Sequence, residues 1–229
     1  MKPATTIAPP RNAKKSHTKT KRLYGVGIND ADYMVGVNAP ADADGRKVRV
    51  WSCPFYAAWR SMLARCYERP IKVYRPTYGV CSVDTAWLTF SVFKYWMEKQ
   101  PWEGNQLDKD LLVPGNKVYS AGTCLFLPAE LNKFLLECGA LRGKYPIGVC
   151  WHKSSRKFAT KCCNPVTRKQ EHIGYFHCPN EAHLAWATRK LEHAKVLAAQ
   201  QADPRVAKAL IDRFTGKYEA ALDALTAGA

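Results

Sequence analysis

The chain predicts an α+β fold, and three observations carry that reading. Ile147 to Trp151, Lys157 to Cys163 and His172 to Phe176 are short runs of alternating character, separated by the turn-forming stretches 152–156 and 164–171, the second headed by Asn164-Pro165. Runs of this kind build a small antiparallel sheet. Glu181 to Ala199 then continues without Gly or Pro and repeats Ala182, Leu184, Ala185, Ala187, Thr188, Leu191, Ala194 and Leu197 at helical spacing, so one helix packs across one face of three strands. Upstream, aromatic residues recur at helical spacing between Val50 and Gln100, which predicts helices around a second core.

In chain order, Met1 to Arg22 holds Lys2, Arg11, Lys14, Lys15, Lys19, Lys21 and Arg22 without an acidic residue and with almost no large apolar side chain. This is a disordered basic arm, which either adds phosphate contacts or serves as a solubilising tail. Leu23 to Arg49 reads as loop or short strand, with Gly25, Gly27, Gly36, an Asn38-Ala39-Pro40 turn and Asp42-Ala43-Asp44-Gly45. Phe55, Trp59, Met62, Leu63 and Cys66 form the stripe of one helix. Trp87, Phe90, Phe93, Lys94 and Met97 form that of a second, with Asp84 as its N-cap and a proline-bearing loop between the two. At the far end, Val206, Leu210, Ile211, Phe214, Tyr218, Leu222 and Leu225 mark an amphipathic C-terminal helix, with Gly216 as the place where it would break. That helix either docks on its own chain or pairs with a second copy or another protein. The organisation predicted is therefore 1–22 basic arm, 23–140 first module, 141–200 sheet-and-helix module and 201–229 C-terminal helix.

Composition narrows the partners. A chain of 229 residues with 47% hydrophobic content has material for one or two cored domains. The excess of 35 Lys and Arg over 19 Asp and Glu leaves a formal charge of +16, which points to a polyanion, nucleic acid first. No Lys/Arg-rich amphipathic helix lies beside an apolar anchor, no apolar run approaches the roughly 18 residues of a membrane span, and the N-terminus lacks an apolar signal core, so the expectation is a cytoplasmic protein with no membrane partner. Nine scattered cysteines without a C-x-x-C pair read as free thiols, with no structural zinc expected.

The pleat assigns faces within the small sheet. Ile147, Val149 and Trp151 point one way and Cys150 and His152 the other; Phe158, Thr160 and Cys162 oppose Lys157, Lys161 and Cys163. With the helix on the Val149/Phe158 side, the free face carries His152, Lys157 and Lys161, and its turns carry Lys153, Arg156, Arg168 and Lys169. Such a cationic surface is narrow enough to enter a DNA major groove. The competing reading is a small α/β domain with ordinary solvated lysines.

Gly148-Val149, Lys157-Phe158, Ile173-Gly174-Tyr175-Phe176 and Glu181-Ala182 with Ala185-Trp186 give this stretch of roughly 50 residues a resemblance to the DNA-binding domain of plant ethylene-response (APETALA-type) transcription factors. A sheet-and-helix module of that kind also occurs in phage homing endonucleases. The resemblance implies duplex DNA as partner. Cys150 and Cys163 stand where those domains often carry groove-reading arginines, while His152, near another such position, and Lys161 remain as contacts.

Between Val50 and Asn132 the order of Trp59, Met62-Leu63, Cys66-Tyr67, Trp87, Phe90, Phe93, Trp96, Leu107-Asp108-Lys109-Asp110, Gly115-Asn116, Tyr119-Ser120, Thr123-Cys124, Phe126 and Asn132 is similar to phage HNH-type endonucleases. The resemblance implies an HNH-like ββα-metal module ahead of the sheet-and-helix module, in the cytoplasm of a phage-infected bacterium. It also implies a catalytic set drawn from Asp108, Lys109, Asp110, Asn116 and Thr123, with Asp108 and Asp110 as ligands of a Mg²⁺ ion that takes one or two carboxylates and phosphate oxygens. HNH chemistry needs a neutral His to take a proton from the attacking water and an Asn to orient that His. Here no histidine occurs between His17 and His152; Lys109 stands at the base position and Thr123 near that of the Asn. An ordinary lysine, with a pKa of about 10.4, is a poor base at neutral pH, and two flanking aspartates raise rather than lower it. The competing reading makes Asp108-Lys109-Asp110 and Asn116 the ends of a turn. The expectation is thus a duplex-DNA-binding protein of the homing-endonuclease type with weak or lost cleavage. Its alternative is a non-enzymatic phage protein on the same scaffold: a DNA-binding regulator, an inhibitor of a host enzyme or a virion component.

Overall fold

A hairpin of β1 (Gly36–Asn38) and β2 (Arg49–Ser52) opens the described structure, which is a computed structural model covering residues 22–68, 80–136 and 143–227. The predicted basic arm, Arg22 apart, and the predicted proline-bearing loop lie outside those residues. The fold is mixed α+β, and its contacts divide it into two units: 1–109 with 115–126, and 110–114 with 127–229. The boundary thus falls within β6 (Leu125–Pro128), earlier than the junction near residue 140 that composition suggests, because the short helix α3 (Ala129–Leu135) belongs to the second unit.

In the first unit, α1 (Pro54–Tyr67) starts at a proline whose missing N–H costs nothing at the first helical position. Its stripe of Trp59, Met62, Leu63 and Cys66 is wholly buried. At roughly 1.5–3 kcal/mol for each large apolar side chain, that stripe anchors the unit. Opposite lies α2 (Phe90–Met97), burying Phe90, Phe93 and Met97. Asp84 does accept a capping bond from Ala86 N (2.9 Å), but it caps a separate 3-10 turn, Thr85–Leu88, and extended Thr89 stands between that turn and α2. The turn has a purpose in packing: it buries Trp87, whose carbonyl receives the Trp59 indole N–H at 2.7 Å. Gly27 lies so close to α1 that a Cβ would stand 2.5 Å from Leu63. Short pairs complete the unit, β3 (Ser82–Val83) parallel to β5 (Val118–Tyr119), and β4 (Asn105–Asp108) beside β6.

The second unit is built on the antiparallel sheet β7 (Val149–His152), β8 (Lys157–Cys163) and β9 (Gln170–Phe176), in that order. Helix α4 (Pro179–Ala199) crosses it, and α5 (Pro204–Thr226) runs against α4. Gly148, at φ +82°, turns the chain into β7 directly over Trp186: a Cβ there would stand 2.1 Å from the indole. Its carbonyl accepts from Thr160 Oγ1 at 2.8 Å. Three of the residues that carried the resemblance, Gly148, Ile173 and Trp186, thus meet where sheet and helix pack. Because α4 is covered by the sheet and by α5, its buried band is broader than the predicted stripe and takes in Trp186, His193 and Ala198. α5 continues through Gly216 unbroken, held by buried Val206, Leu210, Phe214 and Ala221. Those burials outweigh the roughly 1 kcal/mol that a mid-helix glycine costs.

Candidate functional site

Register fixes the faces of the second unit's sheet. Val149 pairs with Thr160, Trp151 with Phe158 and Phe158 with Phe176, so these residues share the side that α4 covers. Cys150 pairs with Ala159, His152 with Lys157 and Ala159 with Tyr175, so these face away from it. The free face therefore carries His152, Lys157 and Lys161, as the pleat requires. Phe158, on the helix side, is only half-buried; the rings of Trp151 (5.0 Å) and Tyr145 (5.1 Å) pack against it.

β9 holds what simple alternation does not foresee. Between Thr160↔Gly174 and Lys161↔His172 it has one extra residue, Ile173, against none on β8. This bulge reverses the faces of the strand's first half. Ile173 packs against the cluster of Cys162, Trp186, Ala187 and Ala221, and Glu171 turns toward α4, while His172 comes round to the free face. There the Tyr175 ring stands between His172 (4.6 Å) and His152 (5.1 Å), forming an aromatic ridge beside the lysines. Unbroken alternation from Phe176 places Tyr175 on the free face but puts His172 on the other side, so the bulge alone brings His172 beside Tyr175. His152 Nδ1 lies 2.8 Å from Ser155 Oγ, which fixes the imidazole at the hairpin.

The turns differ from one another. Arg156 (φ +51°) and Arg168 (φ +59°) both adopt left-handed backbone to close their hairpins. Lys153, Arg156 and Lys169 are exposed. Among the described residues neither they nor Lys157 and Lys161 have a carboxylate within 4 Å. Arg168 does: its Nη2 lies 3.0 Å from Glu130 Oε1. The alternating positions of the free face contain no acid, since Glu171 is turned to the other side.

Beneath the sheet, His193 is buried between Cys162 Sγ, 3.7 Å from Nδ1, and Glu171 Oε2, 3.3 Å from Nε2. Asn164 Nδ2 donates to the other Glu171 oxygen at 2.6 Å. Burial lowers the His193 pKa, with Glu171 opposing and Arg189 and Lys190 assisting; burial also pushes the Cys162 thiol up to about 11. The thiol stays protonated and covered, so this triad is structural.

In the first unit three of the side chains that the resemblance makes catalytic, Lys109, Asn116 and Thr123, are bonded to the main chain. Lys109 is buried and its Nζ donates to the Asn116 carbonyl at 2.9 Å. Asn116 Nδ2 donates to the carbonyls of Lys109 and Val118, both at 2.7 Å, and its Oδ1 accepts from Val118 N at 3.0 Å. Thr123 Oγ1 donates to the Val118 carbonyl at 3.0 Å and lies 2.9 Å from Ser120 Oγ. Asp108 ends β4 in the first unit, whereas Asp110 belongs to the second, where its Oδ1 is 4.0 Å from Arg213 Nη1. Arg213 thus stands at the outer limit of ion-pair distance from Asp110. Among the described residues no group of three or more His, Cys, Asp or Glu is arranged to hold a metal ion, and no helix is long and apolar enough to cross a membrane.

Compared with known proteins, the chain has no significant match to a family model, a curated protein or a solved structure.

Proposed function

We propose that the protein binds duplex DNA by laying the free face of β7, β8 and β9 into the major groove, in the manner of phage HNH homing endonucleases, with weak or lost cleavage. One observation carries the reading: Lys153, Arg156, Lys157, Lys161 and Lys169 surround an acid-free sheet face and have no carboxylate partner among the described residues, although the same unit pairs Arg168, Arg189 and Lys208 with acids. Three strands at about 4.8 Å spacing make a ribbon that a groove about 12 Å wide admits. The lysines then meet phosphates, while His172, Tyr175 and His152 stand over base edges.

Reversing charge with Lys161→Glu and Arg156→Glu should weaken duplex affinity at least about tenfold and make its salt dependence shallower by about two phosphates, with the melting temperature nearly unchanged. Fluorescence anisotropy across a salt series reads both; a double variant that binds as tightly as the parent would sink the groove reading.

A second reading keeps the scaffold and drops the enzyme, and the bonds of Lys109, Asn116 and Thr123 to the main chain favour it. A plasmid-nicking assay with Mg²⁺ separates the two. Slow nicking that Asp108→Ala abolishes and that Lys109→His with Thr123→Asn increases speaks for residual nuclease function; no nicking by either protein speaks for a binding protein alone.

A further inference from the structure

We propose that a cleft in the first unit, between β2 and the solvent side of α1, is a binding site for a phosphate ester. The cleft, of about 300 Å³, is walled by Arg49 and Ser52 of β2, by Tyr24 and by the Tyr56, Arg60 and Glu68 row of α1. Its floor is made by the small residues Ala57, Ser61 and Ala64 of the same helix. Positions 56, 60, 64 and 68 succeed each other at one-turn spacing, so a single helix face provides both the wall and the floor.

Three features make this more than scattered surface charge. Arg49 is placed by Gly36: its guanidinium lies over that residue so closely that a Cβ there would stand 1.6 Å from Nη1. The Tyr24 phenol, which shares the cleft lining with Arg60, raises the pKa of that guanidinium. Tyr56 faces both cations: burial raises its pKa, and Arg60 and Arg49 each pull it back. Neither arginine has a carboxylate within 4 Å among the described residues.

Two guanidinium forks with the hydroxyls of Tyr24, Tyr56, Ser52 and Ser61 offer more donors than a carboxylate can accept, and match the oxygens of a phosphate. Glu68 at one end leaves the anion the end nearer the arginines. The volume takes a phosphate with its sugar, so the source is either a free nucleotide or a backbone phosphate of DNA. This site is independent of the sheet face.

Calorimetry with inorganic phosphate and with thymidine monophosphate, and anisotropy with duplex DNA, distinguish the sources. Arg49→Gln with Arg60→Gln should weaken binding of the responding probe by about tenfold per arginine. Two variants keep the charge: Gly36→Ala displaces the Arg49 head, and Ser61→Leu fills the floor. Both should weaken the same binding severalfold, with circular dichroism confirming the fold. Saturable binding of the small probes assigns a nucleotide. A response of duplex DNA alone, with the salt slope of the double variant reduced by about two, assigns a backbone phosphate. Lys161→Glu with Arg156→Glu should leave phosphate binding here unchanged, whatever it does to the groove reading. The proposal is overturned if no probe responds to the double glutamine variant, or if Ser61→Leu and Gly36→Ala bind as the parent does, which would make the effect one of diffuse charge.

Discussion

Lys109 and Lys161 are the same residue type on opposite terms. Lys109 is 7% exposed and gives its ammonium to a backbone carbonyl of the first unit; Lys161, in the second, stands on an open sheet face with no acid beside it. Asn116 and Thr123 share the fate of Lys109, since both are bonded to the carbonyl of Val118. A polar residue in a tight connection is bound to the main chain around it, because buried peptide groups without partners are costly. On a strand, whose peptide groups already pair with neighbouring strands, the outward side chain is left over for a ligand. The contrast between the units is therefore one of backbone accounting more than of composition.

The strongest way to break the comparison is to remove the contact that holds the second unit's sheet on its helix. Gly148→Val adds a branched side chain at φ +82°, where Trp186 already occupies the space. It should cost about 3–5 kcal/mol, read by chemical denaturation, and duplex binding should go with it. Little change in stability would mean that the Gly148 turn and the Trp186 contact are not what seats the sheet.

The matching test in the first unit is Asn116→Ala. It leaves the Lys109 carbonyl and the Val118 N–H without their side-chain partner, while Thr123 still donates to the Val118 carbonyl, a loss of about 2–3 kcal/mol. Duplex affinity of the folded fraction should hold. If affinity falls while stability does not, the residue acts on DNA, and the contrast drawn between Lys109 and Lys161 fails.

Legibility in the sequence divides along the same line. The faces of β8 were readable, because Phe158, Thr160 and Cys162 alternate with Lys157, Lys161 and Cys163 and both turns announce themselves. The α1 stripe of Trp59, Met62, Leu63 and Cys66 was readable because large apolar residues at helical spacing have few other uses. The faces of β9 were not, since a bulge at Ile173 depends on how β8 pairs with it. Nor was the 3-10 turn before α2: Asp84 caps either kind of helix, and only the fit of Trp87 beneath Trp59 decides. The Arg49 and Arg60 cleft joins a hairpin to a helix, and no local pattern marks it. The roles implied for Lys109, Asn116 and Thr123 came by position within a resemblance, which carries no information about hydrogen bonds to the main chain.

The smallest effect sharpens the comparison through pH. His193 is buried against Cys162 and Glu171, with Arg189, Lys190 and Glu192 of its own helix around it, and burial holds its pKa below the ordinary value of 6.5. The unfolded chain then takes up a proton at this residue before the folded one does, so stability is complete above about pH 6.5 and declines as pH falls below it. Glu171 acts in the same direction lower down: the bond from Asn164 holds its pKa under the ordinary 4.5, so its contribution is lost as pH drops past that value. His193→Gln should flatten the stability profile between pH 7 and 5 and leave the decline below 4.5 in place, a result that denaturation midpoints across the range would show. A profile that falls as steeply between pH 7 and 5 in His193→Gln as in the parent would mean that the buried triad is not the layer that senses acid.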